Sequence, residues 1–102
     1  MKIGFLAQAK QDILDGCLFY ERQESGIGGY FLDSVSADID SLLLYHGQHR
    51  AFFGFHRMLA RVFPFAIYYR VEENVILVDA MIDQRRNPES IKRNLRRLGR
   101  RQ

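Results

Sequence analysis

The chain has 102 residues, of which 47% are hydrophobic and 26% charged, with a formal net charge of +3, so we expect one globular domain spanning residues 1–102 with a single core. The longest nearly uncharged stretch, residues 62–69, is far too short to cross a bilayer, and the N-terminus MKIGFLAQAK lacks the apolar core of a signal peptide. These features argue against a membrane protein and a secreted protein, and they predict a cytoplasmic one.

The N-terminal half predicts one strand and two helices. KIGFL, residues 2–6, has the composition of a short strand. From Ala7 onward, apolar residues recur every three or four positions, which indicates a helix that ends near Gly26. A second helical pattern begins near Ile27 and ends near Gly47. Because so few residues join the two helices, they must lie antiparallel, each turning its apolar stripe toward a common surface that we expect to be a sheet.

The following residues have the strand period. Three runs, residues 55–63, 65–73 and 75–82, are rich in aromatic and β-branched side chains. Pro64, which has no amide donor, separates the first two runs, and the turn EEN separates the second from the third. These short connections predict a three-stranded antiparallel meander.

Alternation along the middle strand predicts which side chains share a face of the sheet. One face carries Phe65, Ile67 and Tyr69, and the other carries Ala66, Tyr68 and Arg70. The first set can pack on the helices. In the second set, Tyr68 is most simply a sheet-packing residue, although its ring could stack on a partner or on a base.

A short basic helix follows the meander. Asn87 is suited to cap this helix and Pro88 to begin it, while the apolar residues at positions 91, 95 and 98 form a narrow stripe. The predicted order of elements is β-α-α-β-β-β-α. This order indicates an α+β fold in which an antiparallel sheet packs against the N-terminal helical hairpin.

Positive charge is concentrated at the C-terminal end of the chain. Residues 85–102 contain eight basic residues and one acid and carry +7, whereas residues 1–84 contain seven basic and eleven acidic residues and sum to −4. The asymmetry predicts a positive surface that meets an acidic partner; the alternative is an exposed helix whose charges are simply solvated. The candidate cations for contacting a target are Arg57, Arg61, Arg85 and Arg86.

His56 is a weak candidate for an acid or a base, because imidazole titrates near neutral pH. Alternation along its strand places it on the face opposite Arg57 and Arg61, so the three side chains need not converge. A histidine at the surface or packed on the sheet is the interpretation that we favour.

Two further groups of residues have patterns that do not indicate chemistry. Cys17 lies on the apolar stripe of the first helix without a histidine at helical spacing, which favours a small buried hydrophobe over a nucleophile; a lone cysteine also fits a reducing compartment. His46 and His49 with Asp40 lack the spacing of metal ligands. We therefore predict no metal and no cofactor.

Three segments carry a resemblance to a known family: QDILDGCLFYERQ, GIGGYFLDSV and FGFHRMLARVFPFAIYYRVEENVILVDAMIDQRRNP. Their most specific part is the block RVFPFAIYYRV, followed at a fixed distance by a strand and Arg-Arg-Asn-Pro. With the order of elements, these segments resemble the RelE/ParE superfamily of bacterial type II toxins, and within it the ParE-like, or plasmid-stabilisation, branch. The resemblance extends from Ala7 to about Leu95.

The resemblance implies a toxin that is held inactive in a hetero-oligomer with a small cognate antitoxin, ParD-like or similar, encoded immediately upstream. Such an antitoxin has a DNA-binding N-terminal part, so the pair binds operator DNA indirectly, and a C-terminal segment that folds along the toxin. Ordering that segment requires apolar burial and charge pairing. We therefore expect an apolar groove rimmed by cations, walled by the edges of the helical hairpin and by the basic helix.

The resemblance also implies a target. ParE-like toxins block DNA gyrase, whereas RelE-like toxins cut mRNA on the ribosome and carry an aromatic or imidazole acid–base group after the C-terminal arginines. This sequence contains neither Tyr nor His beyond Arg86, which favours the gyrase inhibitor. A ribosome-dependent endoribonuclease that uses the same arginines, and a non-toxic basic module that binds nucleic acid, remain the alternatives.

Overall fold

The structure, a computed structural model, describes the backbone of residues 1–100 and the side chains of residues 1–99. Within this part of the chain, a five-stranded sheet lies between an N-terminal layer of helices and one C-terminal helix. The elements are β1 (Lys2–Phe5), α1 (Ala7–Gln23), α2 (Ile27–Asp40), α3 (Leu42–Tyr45), β2 (Ala51–Phe52), β3 (Phe55–Leu59), β4 (Phe65–Glu72), β5 (Val75–Asp83) and α4 (Pro88–Arg100). Two of the eight basic residues counted near the C-terminus are affected: the side chain of Arg100 and the whole of Arg101 lie outside the described residues.

The predicted meander is confirmed, but the strands on either side of it differ from the prediction. Strand order is β1-β5-β4-β3-β2, and β3, β4 and β5 are antiparallel neighbours as expected. The predicted all-antiparallel sheet is wrong, because β1 runs parallel to β5 with Lys2 opposite Val75. The intervening helices provide the long crossover that a parallel pair requires. Strand β2, which pairs only Ala51 and Phe52 with β3, was not predicted.

Two predicted boundaries are also wrong. Strand β3 ends at Leu59 rather than at residue 63, since the chain then leaves the sheet and the Arg61 amide donates to an Asp38 carboxylate oxygen (3.2 Å). The second helix ends at Asp40, and a separate turn of helix, α3, follows it. The Ser41 hydroxyl donates to the carbonyl of Asp38, a local bond of the kind that interrupts or bends helices.

The predicted helical hairpin is present, and its turn depends on one carboxylate and one glycine. Glu21 accepts hydrogen bonds from the amides of Gly26 (3.1 Å) and Gly28 (2.9 Å) at the start of α2. A Cβ atom at Gly28 would lie 2.8 Å from the Cys17 carbonyl oxygen, so only glycine allows α1 and α2 to approach this closely.

The helical hairpin covers one face of the sheet, which we call the hairpin face, and the larger core lies there. Tyr20 and Phe31 from the helices meet Phe63 and Phe65 beside β4, with ring centroids of Phe63 4.7 Å from Tyr20 and 5.0 Å from Phe31. Its buried members are Ala9, Phe31, Val35, Ile39, Leu42, Met58, Ile67, Tyr69, Ile76, Val78 and Met81. The predicted inward-facing residues of β4 therefore do pack on the helices.

Helix α4 covers the opposite face, which we call the α4 face. Its predicted apolar stripe is confirmed, because Ile91, Leu95 and Leu98 are buried against the sheet. The stripe completes a second core with Phe55, Ala66, Tyr68, Ala80 and Ile82. Tyr68 is fully buried beneath it, so the suggestion that its ring stacks on a partner or a base is wrong.

A β-bulge in β5 separates the two halves of that strand. Tyr68 pairs with Ala80 and Tyr69 with Val78, which leaves Asp79 as the additional residue. Asp79 is fully buried and accepts two hydrogen bonds from Arg70, at 2.8 and 2.9 Å. Across residues 1–100, no helix combines the length and the apolar character needed to cross a membrane.

Candidate partner-binding site

The four candidate arginines fall into two groups in space. Arg57 and Arg86 line one cavity of about 240 Å³ on the α4 face, which we call the Arg57 cavity. Arg85 and Arg86 line a second cavity of about 320 Å³ beside α1, so Arg86 lies where the two cavities approach each other. Arg61 lines neither of them. Arg86 thus shares one cavity with Arg57 and another with Arg85, while Arg57 and Arg85 share none.

Arg57 is held in place from β5. Its Nη2 donates to Gln84 Oε1 at 2.6 Å, and its guanidinium lies 5.6 Å from the centroid of the Phe52 ring. The Gln84 amide in turn donates to the Ile82 carbonyl (3.0 Å) and to the Tyr68 hydroxyl (3.3 Å). A side chain fixed by its neighbours in this way loses little conformational entropy when it binds a partner.

Arg86 lies at the start of α4, where the sequence prediction of a cap is confirmed: the Asn87 side-chain oxygen accepts from the Glu89 amide at 2.8 Å. Arg86 Nη2 donates to the Ser90 hydroxyl at 2.7 Å, which directs the guanidinium along the helix. Lys92 also lines the Arg57 cavity, and its ammonium lies 3.6 Å from a Glu89 carboxylate oxygen.

Arg85 already has an acidic neighbour. Its guanidinium donates to both carboxylate oxygens of Asp83, at 2.7 and 3.0 Å, and these bonds hold the pKa of Asp83 below its ordinary value. The Arg85 side chain is nevertheless 62% exposed, so this ion pair is a surface pair of small energetic value. A stronger acidic partner can therefore compete with Asp83 for Arg85.

Strand alternation had predicted that Arg61 and Arg57 share a face of the sheet, and this prediction is wrong. Because β3 ends at Leu59, Arg61 turns toward α2 on the hairpin face and its Nε donates to Asp38 at 2.9 Å. Asp38 is buried whereas the Arg61 side chain is 77% exposed. The pair fastens the loop after β3 to α2 and separates Arg61 from the other three arginines.

His56 lies on the hairpin face, opposite Arg57, which agrees with the packing role favoured from sequence. Its ring stacks on Tyr69 with centroids 5.1 Å apart, and its Nδ1 lies 2.9 Å from the His49 carbonyl oxygen. His49 contacts the Tyr69 hydroxyl, which also accepts from the Gly47 amide (3.1 Å). Burial, and secondarily the neighbouring His56, lower the pKa of His49. These contacts fasten the loop before β2 to the sheet.

The other residues considered in the sequence analysis make packing contacts or local hydrogen bonds. Cys17 is half-buried against the hairpin-face core, with its Sγ 3.6 Å from the Gly28 carbonyl oxygen, which agrees with its interpretation as a small hydrophobe. His46 Nδ1 lies 3.0 Å from the Leu42 carbonyl oxygen. Within the described part of the chain, no three His, Cys, Asp or Glu side chains are grouped so as to hold a metal ion.

Sequence reasoning missed three residues of the Arg57 cavity: Phe52, Gln84 and Lys92. The sequence offered only a partial signal for Phe52, namely Gly54, which suits the second position of a two-residue hairpin turn. The structure has positive φ at both Phe53 and Gly54. Gln84 continues the alternation of Ala80 and Ile82 along β5. Its contact with Arg57 across the sheet, however, had no sequence signal.

A groove follows the free side of β5 between α1 and α4. Since β1 pairs with β5 only as far as Val78, the rest of this side of β5 has no partner strand among residues 1–100. Asp12 of α1 accepts from the Met81 amide at 3.0 Å, and its burial raises the pKa of its carboxyl. Arg86 and Arg97 line the groove from the other side, around a cavity of about 190 Å³.

No protein-family model and no curated protein matches the sequence. Among solved structures, a chain described as "Chromosomal ParDE TA system from P. aeruginosa" is similar in fold, with a TM-score of 0.74 and 14% sequence identity. The similarity covers 81% of the present chain and 95% of that chain. The chain has a ParE-like fold. The expectation drawn from the RVFPFAIYYRV block and its neighbours is thus confirmed at the level of the fold.

Proposed function

We propose that this protein is the toxin of a bacterial type II toxin–antitoxin system, that a cognate antitoxin neutralises it in the cytoplasm, and that it acts on DNA gyrase. The observation that carries the proposal is the ParE-like fold, shared over 81% of the chain with a protein of a ParDE toxin–antitoxin system. The residues that carry the resemblance to ParE-like toxins lie in elements α1 to α4 of this fold.

The groove along β5 supports the antitoxin part of the proposal. Its walls are α1 and α4, the two elements expected from sequence to bound such a groove, and Arg86 and Arg97 supply cations. An acidic segment that is disordered alone would gain charge-assisted hydrogen bonds there as it folds. Arg86 and Arg97 thus support an acidic antitoxin segment as the occupant of the groove, which Asp12 also lines.

The position of His56 supports an inhibitor that acts by contact. RNA cleavage without a metal requires an acid or base close to the cations that stabilise the reacting phosphate. His56 and Arg57 project from opposite faces of β3, so this pair does not form such an arrangement.

An endoribonuclease of the RelE type is the second candidate. It is favoured by the convergence of Arg57 and Arg86 on one cavity, which could stabilise charge on a phosphate. A basic nucleic-acid-binding module is the third, favoured by Arg93, Arg96 and Arg97 on the exposed surface of α4.

Inducible expression in a bacterium, with and without the gene immediately upstream, tests the proposal. We expect growth arrest with filamentation and DNA-damage signalling, relieved by co-expression of a small acidic neighbour. Purified protein should also inhibit gyrase supercoiling. Rapid translation arrest with cut messages would establish the ribonuclease instead, and absence of any growth defect would contradict a functional toxin.

A double variant that removes the two cations following β5 is a more specific test than expression alone. Arg85→Ala with Arg86→Ala should abolish growth arrest while the protein remains folded, because both side chains lie at the proposed contact surface. The matched control is Lys10→Ala with Arg22→Ala, which removes the same charge from exposed positions of α1. If the two double variants behave alike, the charges at the end of β5 have no specific role.

A further inference from the structure

Arg57, which lines the Arg57 cavity, carries a buried hydrogen-bond donor that the rest of the described chain leaves unused. Arg57 Nε is buried, and among the described residues it is the one buried side-chain nitrogen or oxygen without a hydrogen-bond partner. A buried donor on a charged group that has no acceptor destabilises the fold. Unpaired buried polar atoms are rare in native proteins, which directs attention to what the cavity binds.

The charge of the cavity selects the kind of ligand. Arg57, Arg86 and Lys92 line it, and none of the described residues in its lining is acidic. Glu89, the nearest acid to Lys92, is 70% exposed and 3.6 Å away, so it is a weak competitor. The electrostatic field of the cavity therefore favours an anion.

The size and the walls of the cavity indicate which kind of molecule supplies that anion. Its volume of about 240 Å³ is smaller than the usual 300–1,000 Å³ of pockets for drug-sized ligands. Phe52, Pro88 and Ile91 give it apolar walls. One amphipathic acidic side chain, whose methylene groups contact these walls while its carboxylate reaches the cations, fits better than a nucleotide.

Phe53, the neighbour of the lining residue Phe52, has an unusual conformation. Phe53 has φ of 53°, a left-handed conformation that bulky side chains rarely adopt. The residue is 43% exposed, and its ring packs edge-on against Phe52 with the ring centroid 5.7 Å from the Arg96 guanidinium. Asparagine or glycine would suit this turn better, so the exposed ring is consistent with a contact surface around a central pocket.

We propose that the Arg57 cavity is an anchor site for one Glu or Asp side chain of a protein partner. The carboxylate binds the Arg57 guanidinium, with Arg86 and Lys92 as additional cations, while Phe53 contacts the apolar residues that flank the acid. The inference deepens the proposed function, on which it rests, by specifying how a protein target is held. It assigns Arg57 as the specificity residue and leaves Arg61 out of the site.

A titration followed by NMR tests the anchor site on the complete, isolated protein. The probe is a capped Gly-Leu-Glu-Leu-Gly peptide, and the matched control peptide has Gln in place of Glu. We expect the Glu peptide to shift the Arg57 Nε–H resonance and to bind at least tenfold more tightly than the Gln peptide. Inorganic phosphate and adenosine monophosphate are titrated in parallel.

Three variants separate the specific contact from general attraction. Arg57→Gln should weaken binding of the Glu peptide about tenfold, which corresponds to 1.4 kcal/mol. Arg57→Lys, which keeps the charge but lacks the guanidinium fork, should weaken it to a similar extent. Arg93→Gln, the control, removes an equal charge from an exposed position of α4 outside the cavity and should leave binding within about twofold.

The outcomes are distinct from those of the growth assay. Equal binding of the Glu and Gln peptides, or equal losses in Arg57→Gln and Arg93→Gln, would overturn the anchor site while leaving the proposed toxin intact. Preferential binding of adenosine monophosphate at Arg57 would replace the protein partner with a nucleotide. A positive titration without growth arrest would instead count against the toxin.

Discussion

The two faces of the sheet differ in what covers them. On the hairpin face, two long helices bury eleven residues and an aromatic cluster around Phe31, so that face contains most of the apolar interior. On the α4 face, a single helix is attached by three side chains, and the surfaces of that helix left exposed carry arginine. The comparison indicates that the two faces have different roles, which we call the division of labour: the hairpin face contributes most of the folding stability, and the α4 face presents positive charge.

The division also explains why the candidate site lies where it does. A helix that contributes a narrow apolar stripe has most of its surface available for other residues, and here those residues are cations. Arg57 and Gln84 reach the same region from the strands beneath, because side chains on alternate positions of β3 and β5 project toward α4. The binding surface is thus supported by strands that the other face stabilises.

The largest expected effect comes from the hairpin face. Phe31→Ala removes a fully buried ring that contacts Tyr20, Phe63 and Phe65, so the free energy of unfolding should fall by about 3–5 kcal/mol. Urea denaturation should show loss of the whole fold in one transition. Leu32→Ala is the control, since Leu32 is 38% exposed on the same helix and should cost far less. A small loss for Phe31→Ala would contradict the division of labour.

The corresponding change on the α4 face should have a smaller and more local effect. Leu95→Ala removes a fully buried side chain of α4 and should lower stability by about 2–3 kcal/mol. Hydrogen exchange should show faster exchange in α4 while α1 and α2 remain protected. Leu44→Ala, at a position that is 75% exposed, is the control. Uniformly faster exchange across both faces would mean that the two cores unfold as one.

A smaller effect is expected at the turn of the helical hairpin. Glu21→Gln weakens the charge-assisted bonds to the amides of Gly26 and Gly28 and should lower the free energy of unfolding by about 1 kcal/mol. Thermal unfolding measures the change. Glu24→Gln, an exposed residue three positions later in the chain, removes the same charge and should be nearly neutral.

The smallest effect is a pH dependence in the loop before β2. The pKa of His49 is lower in the folded protein than its ordinary value of 6.5, because burial and the nearby His56 disfavour the charged ring. The unfolded chain therefore binds more protons, and this contribution to stability is present above pH 6.5 and decreases as pH falls toward the folded pKa. Stability curves measured between pH 5 and pH 8 should be flatter for His49→Gln. Equal slopes in both proteins would exclude His49 as a source of the dependence.

Much of the fold was predictable because it depends on local patterns. The helical hairpin follows from apolar spacing and Gly26, the meander follows from Pro64 and a short turn, and α4 follows from Asn87-Pro88 and its stripe. The boundary of β3 was missed because Asp38, 23 positions away from Arg61 in the chain, draws the backbone out of the sheet. The parallel pairing of β1 was missed for a similar reason, since a crossover leaves no trace in local periodicity.

The sequence by itself determined most of the elements, the apolar stripes of the three long helices and the excess of arginine near the C-terminus, because each is a property of neighbouring residues. Only the tertiary structure decided which arginines meet. Hydrogen bonds between distant residues direct Arg61 to Asp38 and Arg57 to Gln84, and the packing of α4 buries Tyr68 and forms the cavity between Arg57, Arg86 and Lys92. Such contacts depend on the three-dimensional path of the whole chain, which residue spacing does not encode.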